Sequence, residues 1–184
     1  MTNTERGTNV TVIAAINAGG GYIPPMIIFP RVNYRDHMIK GAPVGSIGGA
    51  NPSGWSNEEL FVQFLLHFIK HSGASIENPV ILLLDNHESH ISVAAIQTAK
   101  SNGVIMVTFH PHTSHKMQPL DVGVFGPFKT FYNKAMKDWT TRPENVAKPA
   151  TIYDIPELVN RAFLEAFTPK NILAGFEKKL EYRL

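Results

Sequence analysis

A chain of 184 residues can build one domain of ordinary size with its own hydrophobic core, and 43% apolar against 17% charged residues mark it as globular rather than disordered. The net charge of +2 permits a nucleic-acid partner without demanding one, and the absence of cysteine excludes disulfides, thiolate zinc sites and a cysteine nucleophile. The opening MTNTERGTNV is too polar for a signal peptide and no apolar run reaches membrane-span length, so a soluble intracellular protein without a membrane partner is expected.

Thr8 to Asn17 is short and rich in β-branched residues; Gly19-Gly20-Gly21 follows, then Tyr22 to Phe29. This predicts a hairpin, with Pro24-Pro25 forcing an edge or a bulge at the start of its second strand. Arg31 to Gly54 has many Gly and Pro and no period, and reads as a long loop. Ser56, with Glu59 three residues on, forms a capping box for a helix from Glu58 to His71. Its apolar residues Leu60, Phe61, Phe64, Leu65, Phe68 and Ile69 fall on one face. Pro79 opens the next segment, and the unbroken apolar run Val80 to Leu84 predicts a strand buried on both faces. A helix over Ile91 to Lys100, ended by Asn102-Gly103, and a strand over Val104 to Phe109 complete a βαβ unit and a mixed α/β sheet. Pro119 suits a first helical turn, but Gly123, Gly126 and Pro127 predict an irregular start to the helix that is clear from Phe128 to Trp139. Residues 140–150 form a linker with two prolines. Asp154 stands where it could cap a helix to Phe167, and Thr168-Pro169 begins another.

The chemistry gathers at strand ends. Asp85 closes the Val80–Leu84 run, where open α/β sheets place their sites, although a turn or capping aspartate looks the same in sequence. Asp121 follows the next strand by one loop and stands near a helix start, where its charge also suits the helix dipole. As a pair the two carboxylates suit Mg²⁺ or Mn²⁺, and a two-metal site could activate a water and stabilise the leaving oxygen of a phosphodiester. Five of the eight histidines lie between His87 and His115, yet their spacing matches no zinc signature. A small-molecule metallohydrolase built on this histidine loop is the weaker rival. Lys129, Lys134 and Lys137 punctuate the helix after Asp121, with Phe131, Tyr132 and Trp139 between them. They could neutralise phosphates, or form a solvated face over an aromatic core side.

The stretches ILLLDNHESHIS (81–92) and VTFHPHTSHKMQPLDVGVFGPFK (107–129) resemble the DDE superfamily endonuclease/transposase domain of the pogo/Tigger group, with its jerky-like and centromere-binding relatives. ERGTNVTVIAAINAGGGYIPPMIIFPR (5–31) and GWSNEELFVQFLLHFIKH (54–71) are similar to the same group, so the likeness spans about residues 5 to 176. It implies an RNase H-like mixed sheet flanked by helices, in which three acids hold two divalent ions that cut and join DNA. Carried over by position, Asp85 matches the second acid and Asp121 the third, both as catalytic metal ligands. Asn86, His87, His90 and His115 would line the site, and Lys116, Lys129, Lys134 and Lys137 would meet nucleic acid. No acid matches the first: Glu5 lies in the wrong element. The expected domain therefore lacks its first strand and first carboxylate, with its neighbours' backbone groups exposed and stability marginal. Residues 1–139 form the partial domain, 140–150 the linker, and 151–184 the C-terminal helices of that domain. The expected function is a transposase-derived domain, inactive alone, with DNA as partner, Mg²⁺ or Mn²⁺ as cofactor, a nuclear location, and a homo-oligomer as an open possibility. The alternative is a domesticated DNA- or chromatin-binding module without catalysis.

Overall fold

The computed structural model describes residues 9–85, 90–109 and 118–180, except the side chains of 178–180. The described elements run β1 (Thr11–Ile16), β2 (Tyr22–Phe29), β3 (Ile47–Ala50), α1 (Glu58–Ser72), β4 (Val80–Leu84), α2 (Val93–Ser101), β5 (Val104–Thr108), α3 (Phe125–Thr141), α4 (Ile155–Ala166) and α5 (Pro169–Leu180). Strands and helices mix in the way an RNase H-like fold requires.

The β1–β2 hairpin follows from its turn chemistry. Asn17 Oδ1 accepts from the N–H groups of Gly19 and Gly21, and Gly20 takes a φ of 87° that favours glycine. Across the antiparallel ladder Ile13 pairs with Met26 and Ala15 with Ile23, so the register slips opposite Pro24-Pro25. This is the bulge that the two prolines predict, because neither can donate to a ladder.

β2 also pairs in parallel with β3, which sequence patterning had assigned to a loop. The strand IGGA has two glycines in four residues and therefore little strand propensity. Packing explains them: a Cβ on Gly48 would stand 2.2 Å from the Tyr34 ring, and one on Gly49 2.5 Å from Leu60 Cδ2.

Double burial falls on β2, not on β4. Met26, Ile27, Ile28 and Phe29 are all fully buried. Met26 and Ile28 face the core built with α1, whereas Ile27 and Phe29 pack with Val159 of α4 and Ile152. In β4, Leu82 and Leu84 are buried under α1 and α2, but Ile81 is 63% exposed and Leu83 43%. Parallel pairing sets Ile81 beside Ile105 and Leu83 beside Val107, and this whole apolar face is open. The expectation of a strand covered on both faces fails because α1 and α2 cover one side only. β4 and β5 form a separate two-stranded sheet. Among the described residues, β1 and β3 are the outer strands of one sheet, and β4 and β5 pair only with each other.

Helix ends follow local rules with small offsets. α1 is capped by Asn57, whose Oδ1 accepts from Leu60 N–H at 2.9 Å, one residue later than the capping box at Ser56 predicts. Ser92 caps α2 through Ala95 N–H. Asp154 precedes α4 but does not cap it. Its Oδ2 accepts instead from the Thr151 N–H and hydroxyl at 2.8 and 2.6 Å.

α1 is tied to β2 by His67, whose Nε2–H donates to the Pro24 carbonyl at 2.9 Å. Burial holds this imidazole below its ordinary pKa; the bond to Pro24 opposes the shift, and His71 and Lys70 reinforce it. In the unfolded chain His67 takes up its proton near pH 6.5, before the native state does. This part of the stability is thus complete above about pH 6.5 and is lost as pH falls towards the native value. The urea midpoint is expected to drop between pH 7.5 and 5.5, and to drop less in His67→Gln. Equal drops in both proteins would refute this assignment.

Candidate metal-binding and nucleic-acid site

β4 and β5 run parallel, so their C-terminal ends share one edge, and Phe109 N–H donates to the Leu84 carbonyl at 3.0 Å to keep the chains side by side there. Asp85 leaves that edge directly. Its Oδ1 lies 2.6 Å from Nδ1 of His90, with the imidazole side chain 17% exposed and the carboxylate 41%. The His90 ring packs on Phe61 of α1, centroids 4.2 Å apart and planes at 33°. The carboxylate thus lies against an imidazole that itself packs on a buried aromatic ring, a close approach of the two groups and not an aligned hydrogen bond at Nδ1. An acid fixed in this way loses less rotamer freedom when it binds a cation.

Asp121 stands on a different support. Leu120–Val124 forms one wide π turn that runs into α3, the irregular start that Gly123 and its neighbours predict. Leu120 and Val124 are buried against Phe163, Phe167 and Ile172, with Ala14 and Ile16 of β1 alongside. Asp121 itself is exposed, and its N–H donates to the Gln118 carbonyl at 3.0 Å. Gly123 fits the turn closely against α5: a Cβ there would lie 2.4 Å from the Asn171 carbonyl oxygen and 2.7 Å from Gly175 Cα.

The structure brings Asp85 and His90 together. Among the described residues no three His, Asp or Glu side chains gather where they could hold an ion, so Asp121 does not complete a cluster with that pair. The expected site residues Asn86, His87, His115 and Lys116 lie outside the described residues. Lys129, Lys134 and Lys137 are all exposed on α3. Lys134 lines a shallow groove with Asp138, Arg161 and Glu165, and Arg161 Nη2 lies 3.7 Å from Asp138 Oδ2. The three lysines therefore face solvent, and Lys134 does so beside the acids Asp138 and Glu165. Tyr132, on the same helix, is turned into the core, where burial pushes its phenol up to about 12.

Sequence patterning missed Phe61 as a support of the site, since it reads only as one more residue of an apolar helix face. It also missed the Gly123–Gly175 contact, whose only signal is a glycine in each of two helical stretches.

The donor set can be set against the metal that the expected fold implies. Two carboxylates are hard oxygen ligands of the Mg²⁺ and Mn²⁺ class. Each is a donor of the kind suited to an ion that keeps several waters, and a pair of ions calls for more donors than these two.

A mixed α/β domain with a carboxylate delivered at the end of a parallel strand is the class of protein defined by this fold and site. The chain belongs to the DDE superfamily endonuclease family, which it matches over residues 7–176. It is 31% identical over 169 residues to "MFS-type transporter clz9" of Cochliobolus lunatus, covering 91% of this chain and 18% of that protein. It is 25% identical over 173 residues to "Pogo transposable element with ZNF domain" of Homo sapiens, covering 84% of this chain and 12% of that protein. The chain thus spans less than a fifth of the length of either relative. Among the described residues no helix is long and apolar enough to cross a membrane. No solved structure matches the chain.

Proposed function

We propose that this domain derives from a DDE-type transposase, that it binds DNA, and that Asp85 and Asp121 are its carboxylate ligands for Mg²⁺ or Mn²⁺. The observation that carries this reading is Asp85 at the C-terminal end of β4, clasped by His90 at 2.6 Å, within a chain that matches the family along nearly its whole length. Superfamily endonucleases generally depend on divalent metals. Such ions, when bound, neutralise charge on the phosphodiester and make a water more acidic. The chain's own residues have simpler tasks. His90 orients Asp85, Phe61 fixes His90, and the π turn aims Asp121. Lys116, Lys129, Lys134 and Lys137 are assigned to the phosphate backbone, and Asn86, His87, His90 and His115 to the surroundings of the carboxylates. Relatives of this kind would cut and join DNA with two ions. A nuclear location belongs to the same proposal.

The test is DNA retention titrated with Mn²⁺, with plasmid nicking followed in the same samples. Mn²⁺ is expected to tighten retention by the parent about tenfold, and Asp85→Ala and Asp121→Ala to lose most of that gain. Salt-sensitive retention that ignores Mn²⁺ and both substitutions would instead establish the domesticated binding module. The mixed charge around Lys134 argues against a purely electrostatic binder of that kind.

A further inference from the structure

A second group of imidazoles stands at the far end of α1, six to ten residues beyond Phe61 and so about 9–15 Å further along the helix. His67 and His71 are one turn apart, which stacks them on one face. Their ring centroids are 4.4 Å apart, with planes at 64°. We propose that His67 and His71 form a two-imidazole site for a divalent transition-metal ion of the zinc class, separate from the carboxylates at the end of β4.

Three features support it. First, His67 is buried and its Nε2–H is committed to the Pro24 carbonyl at 2.9 Å. That bond selects the tautomer with its lone pair on Nδ1 and fixes the ring, as a backbone carbonyl behind a metal-bound histidine does. Second, His71 is exposed, so an ion and its waters can reach the pair from solvent. Third, the spacing is close to that of one shared ion: two imidazoles at metal–nitrogen distances of about 2.0–2.1 Å and a tetrahedral angle have ring centres roughly 5.2 Å apart, so the rings need to part by less than about 1 Å, which the exposed His71 ring can supply. Imidazole nitrogen favours zinc, nickel and copper over magnesium, so this site and the carboxylates select different ions. Lys70 beside the pair weakens attraction for a cation, and with two protein donors the other positions go to water. Bound metal would pin the C-terminal end of α1 over the Pro24 bulge of β2.

Zn²⁺ alone, without DNA, is titrated into the protein while thermal unfolding and metal stoichiometry are followed. At ten times the dissociation constant, the parent and Asp85→Asn are expected to gain about 3–5 °C. His71→Ala, which removes an exposed ring, keeps the unfolding midpoint of the metal-free parent and gains nothing; Mg²⁺ moves none of the three. Nitrogen-15 spectra of the histidine rings are expected to show Zn²⁺ shifting Nδ1 of His67. A shift surviving in His71→Ala, a shift abolished in Asp85→Asn, or no response of the parent up to millimolar Zn²⁺ would each overturn the proposal. Failure of the Zn²⁺ response leaves the assignment of Asp85 and Asp121 standing, since that is read from Mn²⁺ and DNA.

Discussion

Gly103→Ala is expected to destabilise the domain by about 3–5 kcal/mol, a large part of the total stability of a domain this size. Two separate penalties meet at this residue. Its φ of 70° is a left-handed conformation that costs a residue with a Cβ about 1–2 kcal/mol. The Cβ would also lie 1.9 Å from the Ser75 carbonyl oxygen and 2.3 Å from its carbon, and backbone cannot rotate aside as a side chain can. Gly73 separates the two effects. It caps α1 at an almost equal φ of 67°, yet nothing stands within 4 Å of where its Cβ would go. Gly73→Ala should therefore cost about 1–2 kcal/mol, the conformational part alone. Moreover, the Gly103 carbonyl accepts from Val80 N–H at 2.9 Å, so a shift here loosens the start of the β4–β5 pair that carries Asp85 at its other end. Urea melts of the two variants beside the parent measure the difference. Equal losses would mean that the loop over Ser75 yields freely and the collision counts for nothing.

The parts of the fold that were legible in the sequence are those written in local chemistry. The βαβ unit could be read because its strands are apolar runs and Asn102-Gly103 ends its helix as expected, although the helix starts at Val93, after the Ser92 cap, and not at Ile91. The bulge at Pro24-Pro25 and the irregular turn before α3 were legible for the same reason: a proline without an N–H and a glycine without a Cβ act within a few residues of themselves. What failed depends on distant partners. β3 was invisible because its glycines answer to Tyr34 and Leu60, which approach from other segments. The open face of β4 and β5 was misread because five apolar residues in a row say nothing about whether a second layer covers them. The site divides similarly. Asp85 was singled out by its place at a strand end and His90 by the family resemblance, and they do meet, whereas the aromatic ring against His90 lies on a helix about 30 residues earlier and could not be inferred from spacing. Ser56 and Asn57 mark the limit of local reading, since either can cap and only the entry angle of the chain selects Asn57.

Gly123→Ala is expected to cost about 2–4 kcal/mol and to displace Asp121, because it meets backbone on both sides. The π turn and α5 touch through glycine: the added Cβ would stand 2.4 Å from the Asn171 carbonyl oxygen and 2.8 Å from Gly175 N. Gly175 leans equally close in the other direction, with its own Cβ position 2.5 Å from the Pro119 carbonyl oxygen. Relief requires the turn and α5 to separate, which opens the cluster of Leu120, Val124, Phe167 and Ile172. Three residues further on, Gly126 has nothing within 4 Å and lies in the first turn of α3. Gly126→Ala should change stability by less than about 1 kcal/mol, since alanine's preference for helix is offset by crowding of its Cβ against the Pro127 ring. The pair distinguishes a loss of packing from a loss of glycine as such. If Asp121 holds a divalent ion as proposed, Gly123→Ala also loses the Mn²⁺-dependent gain in DNA retention under conditions where circular dichroism still reports a folded protein, while Gly126→Ala keeps it. A Gly123→Ala protein as stable as the parent would show that the turn and α5 are not in close contact, and that the aim of Asp121 is set by something other than this glycine seam.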